Sequence, residues 1–269
     1  MKLNFWTSFS SLIVFNICCL ATTTVILLPF YEIVQIKSFK LTTDYIYFTF
    51  FAGYCFWYSK KTGIILKDSF FTPNISSIIK MLIIVLLARL IVLPPLDNTI
   101  RFLELLHNFE LKIISTAINP KSFSYSLNTI LISPIIEEIF FRGLLLHNFL
   151  SKYSPIKAIL LSSILFGIHH FWVMLNTFPT GFYNFPFFIV IGMVFGILYY
   201  STKSLILASL AHIIFNVFVL LKNQLINLDK SNAAIYLFTY IVSYLILAFL
   251  LNKSFKSGDR EYFLSKNKK

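Results

Sequence analysis

Charge is what this 269-residue chain has least of. Only 13% of its residues are charged and only 11 are acidic, against 57% hydrophobic and 18% aromatic. A soluble domain is about a quarter charged, so a large water-soluble core does not account for the composition. Cysteine is almost absent, and Cys18, Cys19 and Cys55 all fall in apolar runs with no CxxC pair and no Cys/His cluster. A disulfide framework and a thiolate metal site are therefore not expected, and the three read as small hydrophobes. Internal repeats are lacking, as is any linker long enough to separate domains, so a single domain spanning 1–269 is expected. The helix-borne zinc motif HExxH is missing as well.

What is present is a series of apolar runs of about 20 residues, the length of helix that crosses a bilayer's hydrocarbon core. The expected fold class is all-α, a polytopic membrane bundle with helices near 9–30, 43–59, 76–95, 126–149, 155–175, 183–201, 204–222 and 233–252. Strand-length alternation is absent from these runs, which leaves helix as the structure that satisfies the backbone in lipid. Lys2 and the apolar stretch behind it resemble a signal peptide, but the stretch runs to Leu28 without a small-x-small cleavage site. An uncleaved first span is expected. The connection from Asp97 to Phe123 carries Leu103, Leu105, Leu106, Phe109 and Ile113 at near-helical spacing and reads as an amphipathic surface helix.

The net charge of +12 does not point to nucleic acid, because the basic residues lie between apolar runs and in the C-terminal tail. They read as topology signals. The basic tail, Lys60, Lys61 and Lys67, Lys152 and Lys157, and Lys203 place both termini in the cytoplasm. Arg101, Lys112 and Lys121 in the long connection run against that orientation. Arg89 reads as a snorkelling residue, and Gly192 with Gly196 as a small-residue face for helix packing or, alternatively, dimerisation.

Against this background "SPIIEEIFFRGLLL", residues 133–146, stands out. Glu137 and Glu138 are the acidic residues placed in mid-span. An ionised group there costs on the order of 3 kcal/mol on insertion scales. Glu138 and Arg142, four apart with the acid first, make a favourable ion pair along one helix. Glu137 points about 100° away and is not neutralised by the same arginine. Pro134 is expected to disturb the helix beside it. In "SSILFGIHHFWV", Phe166 and His170 share a helix face, while His169, like His147, reads as an interfacial residue. In "LASLAHIIFNVFVLL", His212 and Asn216 are stacked one turn apart.

Three helices thus bring polar groups to similar depth, and the set suits peptide hydrolysis. A glutamate can take a proton from water and a histidine can orient that water. A histidine and an asparagine can donate to a tetrahedral oxyanion, at about 3 kcal/mol per donor. One glutamate and two histidines also match an open zinc site, so Glu137, His170 and His212 are the candidate ligands if Zn2+ is involved. Intramembrane Glu and His chains also build proton relays, so a proton-coupled transporter is the alternative from another class, with a non-catalytic membrane binding protein as a third. Missing repeats and broken helix pairs count against transport.

These motifs carry a resemblance. "EEIFFRG" at 137–143 resembles the EExxxRG motif of the CAAX-processing and bacteriocin-processing intramembrane endopeptidases (the CPBP or Abi family), Phe166 and His170 its FxxxH motif, and His212 and Asn216 its HxxxN motif. The signature region spans about 125–222. The resemblance implies a catalytic cavity between the fourth, fifth and seventh helices. It implies Glu137 as the water-activating carboxylate aided by His170, His212 and Asn216 as the oxyanion site, and Glu138 and Arg142 in support. Family members are commonly labelled metalloproteases, and a metal-free glutamate mechanism is also proposed for the fold. A membrane-associated or lipidated protein or peptide is the implied substrate. The Lys-, Ile-, Phe- and Asn-rich composition points to an AT-rich, bacterial genome, and so to a bacterial cytoplasmic membrane.

Overall fold

The computed structural model describes residues 3–27, 36–64, 66, 73–88, 127–171 and 184–225. Among these, every regular element is a helix. The expected eighth span, the surface helix at 97–123, Pro94, Pro95, Arg89 and the basic tail lie outside the described residues.

Helices α1 (Phe5–Leu27), α2 (Ile36–Thr62) and α3 (Ile75–Leu87) come first along the chain. The fourth helix, α4, is built of four pieces that follow without a break: Asn128–Ile132, Ser133–Glu138, Ile139–Leu146 and His147–Leu150. Helices α5 (Pro155–His169), α6 (Phe185–Thr202) and α7 (Leu205–Leu225) complete the bundle. Five of the seven come within about a turn of the expected spans at their described ends. α2 begins earlier, where Lys37, Lys40 and Asp44 interrupt the apolar pattern that located the span. α5 ends earlier, because His170 adopts φ −82°, ψ 4° and closes the helix.

The first and third pieces of α4 are wound wide, in π-type turns. Pro134 explains the first. A proline cannot donate to the previous turn and its ring crowds that turn's carbonyl. Here the Ser133 N–H bonds back five residues to the Asn128 carbonyl, and the helix stays continuous across the proline. Such wide turns recur at functional sites.

α4 is the centre of the fold. Every residue from Phe140 to Leu150 is buried. At its lower end Asn148 donates to the Leu3 carbonyl at 2.7 Å and to the Tyr58 hydroxyl at 3.1 Å, and Tyr58 pairs with Ser8 at 2.9 Å. These buried polar contacts tie α1 and α2 to α4. On the other side, α5 and α6 run antiparallel and close together. Gly192 leaves room for Ser163 and Phe166, and Gly196 for Ile159; a Cβ at Gly192 would stand 3.1 Å from the Ser163 Cα. The small-residue face of α6 is thus used in packing within the bundle. α7 returns antiparallel to α4, with Leu205 beside Gly143 and His212 beside Glu138. The turn between α6 and α7 is tight, and Lys203 adopts φ 57°, with its N–H bonded to the Tyr199 carbonyl at 2.7 Å.

The outward faces are greasy. Trp6, Val14, Ile17, Ile79, Leu82, Ile156, Leu160 and Leu210 are exposed, whereas Glu137, Glu138, Arg142 and His212 are buried. This arrangement matches a lipid solvent, since exposed apolar surface on that scale is costly in water. α6 is long and apolar enough to cross a membrane, and α1, α3, α5 and α7 contain shorter apolar stretches.

Candidate active site

The antiparallel packing puts four helices' groups at one level: the Glu137–Arg142 stretch of α4, Phe166 and His170 of α5, Gly192 and Phe195 of α6, and His212 of α7. Each arrives there because its helix buries an apolar face with a few polar groups set within it.

Glu138 is the hub. Its Oε1 accepts from Arg142 Nη1 at 2.7 Å and from His212 Nδ1 at 2.9 Å, and its side chain is fully buried. Arg142 donates its other terminal nitrogen, Nη2, to the Gly192 carbonyl at 3.0 Å. The guanidinium lies 4.6 Å from the Phe166 ring centre and 5.4 Å from that of Phe195, so aromatic faces cover the charge. Phe195 also stacks on His212, with ring centres 4.6 Å apart. The expected Glu138–Arg142 pair is therefore present, with a carbonyl and an imidazole added. These are the further hydrogen bonds a buried ion pair needs to offset desolvation, although Glu138 Oε2 is buried without one.

Glu137 is held differently. Ser133 Oγ donates to Glu137 Oε1 at 2.5 Å, while Oε2 is buried with no hydrogen-bond partner. Oε2 stands 3.8 Å from His170 Nε2. His170 donates from Nδ1 to the Phe166 carbonyl at 2.9 Å, stacks on Phe188 with ring centres 4.3 Å apart, and lies tilted against Phe166 at 4.6 Å. In the neutral ring this leaves Nε2 an acceptor. Two acceptors therefore face each other across a gap too long for a direct bond.

Of the residues singled out from the sequence, Glu137 and His170 come together as expected. His212 does not join them directly: the bond it makes is to Glu138. Asn216 is half-buried one turn further along α7. His147 is buried near the end of α4. His169, read as interfacial, packs against Phe51 and Phe141, and its Nε2 is 3.0 Å from the Tyr47 hydroxyl. Sequence reasoning missed Tyr47 and Ser133, and it read Gly192 for helix packing or dimerisation but not as a hydrogen-bond acceptor. Ser133 was findable, since it precedes Glu137 by one helical turn; Tyr47 was not, because nothing local marks which face of α2 meets α5.

A metal would need three donors turned to one point. Glu137, His170 and His212 do not form such a group as arranged, and no group of three His, Cys, Asp or Glu side chains among the described residues does. Both imidazole Nδ1 atoms are already engaged.

Fold and site together define a helical membrane protein with a buried acid–base cluster at the meeting of four helices. Residues 119–218 match the family model described as type II CAAX prenyl endopeptidase Rce1-like. Over that stretch the resemblance read from the three motifs is shown. The match supports a membrane-embedded protease of the CAAX type. Comparison with curated proteins returned no match, and neither did comparison with solved structures.

Proposed function

We propose that the chain is a single-domain intramembrane endopeptidase, hydrolysing a peptide bond in a membrane-associated or lipidated protein or peptide. CAAX-type processing and bacteriocin maturation or self-immunity are the two settings in view. The observation that carries this reading is the facing pair of acceptors, Glu137 Oε2 and His170 Nε2, 3.8 Å apart.

A water between them donates one hydrogen to each, which leaves its oxygen lone pairs turned outward as the nucleophile. As that oxygen attacks the scissile carbonyl carbon, Glu137 takes the proton. The proton then passes to the departing nitrogen as the C–N bond breaks. His212 and Asn216 serve as the donors to the tetrahedral oxygen. Because His212 Nδ1 is engaged by Glu138, its donation to that oxygen runs through Nε2. Arg142 and Phe195 fix the ring plane from which His212 acts.

No step here runs through a metal. Metal content of the purified protein, with activity before and after chelation, decides between the metal-free scheme and a zinc-assisted one. The location we assign is the bacterial cytoplasmic membrane with a cytoplasmic C-terminus. The test is cleavage of a farnesylated, internally quenched CAAX-type peptide in liposomes, with a bacteriocin-precursor peptide in parallel. Product from the wild type and none from Glu137→Ala is the expected result. Equal cleavage by both, or Glu137-dependent proton flux without any cleavage, would refute the peptidase.

A further inference from the structure

We infer that Ser133 is a positioning residue: its hydroxyl holds one oxygen of Glu137 so that the other is presented to His170 and the substrate. The inference rests on the hydrolytic reading above and adds a residue that lies outside the EExxxRG motif.

The contrast with six other helical hydroxyls makes the case; Ser59, which bonds forward to the Ile64 carbonyl, and Ser8, which pairs with Tyr58, behave otherwise, and neither meets a carboxylate. Thr62, Ser151, Ser162, Ser163, Ser201 and Thr202 all return their hydroxyls to a backbone carbonyl three or four residues back. That is the ordinary bond for a helical hydroxyl with no water available. Ser133 points the other way, forward one turn, and donates to Glu137 Oε1. Its backbone position is set by the wide turn ahead of Pro134, where its own N–H reaches back five residues to Asn128. The proline and the hydroxyl therefore act together: the wide turn that accommodates Pro134 sets the Ser133 backbone, and the hydroxyl donates to the base.

The consequence is an asymmetric carboxylate. A free carboxylate offers either oxygen and rotates between them. Here Oε1 is occupied and Oε2 is left without a partner, 3.8 Å from His170 Nε2. A bridging water needs that oxygen in one place, and small displacements of a catalytic group lower turnover without weakening substrate binding. Ser133 touches neither the water nor the scissile bond in this scheme and acts through Glu137 alone.

The test compares wild type, Ser133→Ala and Ser133→Thr in liposomes with the farnesylated CAAX-type peptide. Ser133→Ala should lower kcat about tenfold with KM within about twofold, and Ser133→Thr should restore at least about half of kcat. A second readout does not need turnover. The infrared carboxylate bands of Glu137, identified by their loss in Glu137→Gln, should shift in Ser133→Ala and return in Ser133→Thr. An active wild type with unchanged kcat in Ser133→Ala, or a rise in KM alone, overturns the positioning role while leaving the peptidase intact. Unshifted bands overturn the contact itself. A wild type that cleaves nothing while the bands shift would sink the hydrolytic reading and with it the positioning role, but not the hydrogen bond.

Discussion

Replacing Arg142 with methionine should be among the most damaging single changes in the bundle, and the structure says why. The guanidinium is 1% exposed and makes two hydrogen bonds, to Glu138 Oε1 at 2.7 Å and to the Gly192 carbonyl at 3.0 Å. Removing it leaves a fully buried carboxylate without its countercharge, a change that costs about 3–5 kcal/mol. Glu138→Gln, which strands the arginine instead, should cost a similar amount. The amide oxygen in that variant still offers His212 Nδ1 an acceptor, so the imidazole keeps its anchor. The double variant Glu138→Gln/Arg142→Met removes both charges together. What it still lacks is the bond to Gly192, worth about 1–3 kcal/mol. It should therefore be no less stable than either single variant, giving a favourable coupling of at least about 3 kcal/mol. Equilibrium unfolding of the four proteins in mixed dodecylmaltoside–SDS micelles measures this. Additive losses, with the double variant destabilised by the sum of the singles, would refute the claim that Glu138 and Arg142 form one compensated unit.

Gly192→Ala should destabilise by about 1–3 kcal/mol, because the new methyl meets Ser163 at 3.0–3.1 Å and α5 must move away from α6. Gly53→Ala, with nothing within 4 Å of the new carbon, should raise stability by up to about 1 kcal/mol in the same unfolding assay. Equal responses at the two sites would contradict the packing described. Tyr47→Phe removes the hydroxyl that meets His169 and should cost about 1 kcal/mol while the farnesylated peptide is still bound, read by unfolding and by KM. An unchanged unfolding midpoint would show that the hydroxyl contributes nothing to anchoring the end of α5.

Much of this site can be read along the chain because its key relations are local. Glu138 and Arg142 are one turn apart, as are Phe166 and His170, and periodicity alone puts each pair on one face. The apolar runs located the described helices for the same reason: lipid leaves the backbone no other structure. What could not be read is how the faces meet. The bond from His212 to Glu138 rather than to Glu137 depends on the rotation of α7 against α4. The use of the Gly192 carbonyl as an acceptor depends on how α6 lies against α4, and backbone carbonyls leave no mark in a sequence. His169 looked like an interfacial residue because its partner Tyr47 lies on another helix, 122 positions earlier. The wide turn at Pro134 was half legible, since the proline announces a disturbance but not the direction in which the helix yields.

The central claim is that Glu137 and His170 activate a water that ends in the product. Cleavage of the farnesylated peptide in water enriched in oxygen-18, followed by mass spectrometry of the released N-terminal fragment, tests it most directly. The account predicts one heavy oxygen in the new carboxylate for the wild type, and for Glu137→Gln a rate at least about a thousandfold lower with stability within about 1 kcal/mol of wild type. Labelled product formed at the wild-type rate by Glu137→Gln would contradict it.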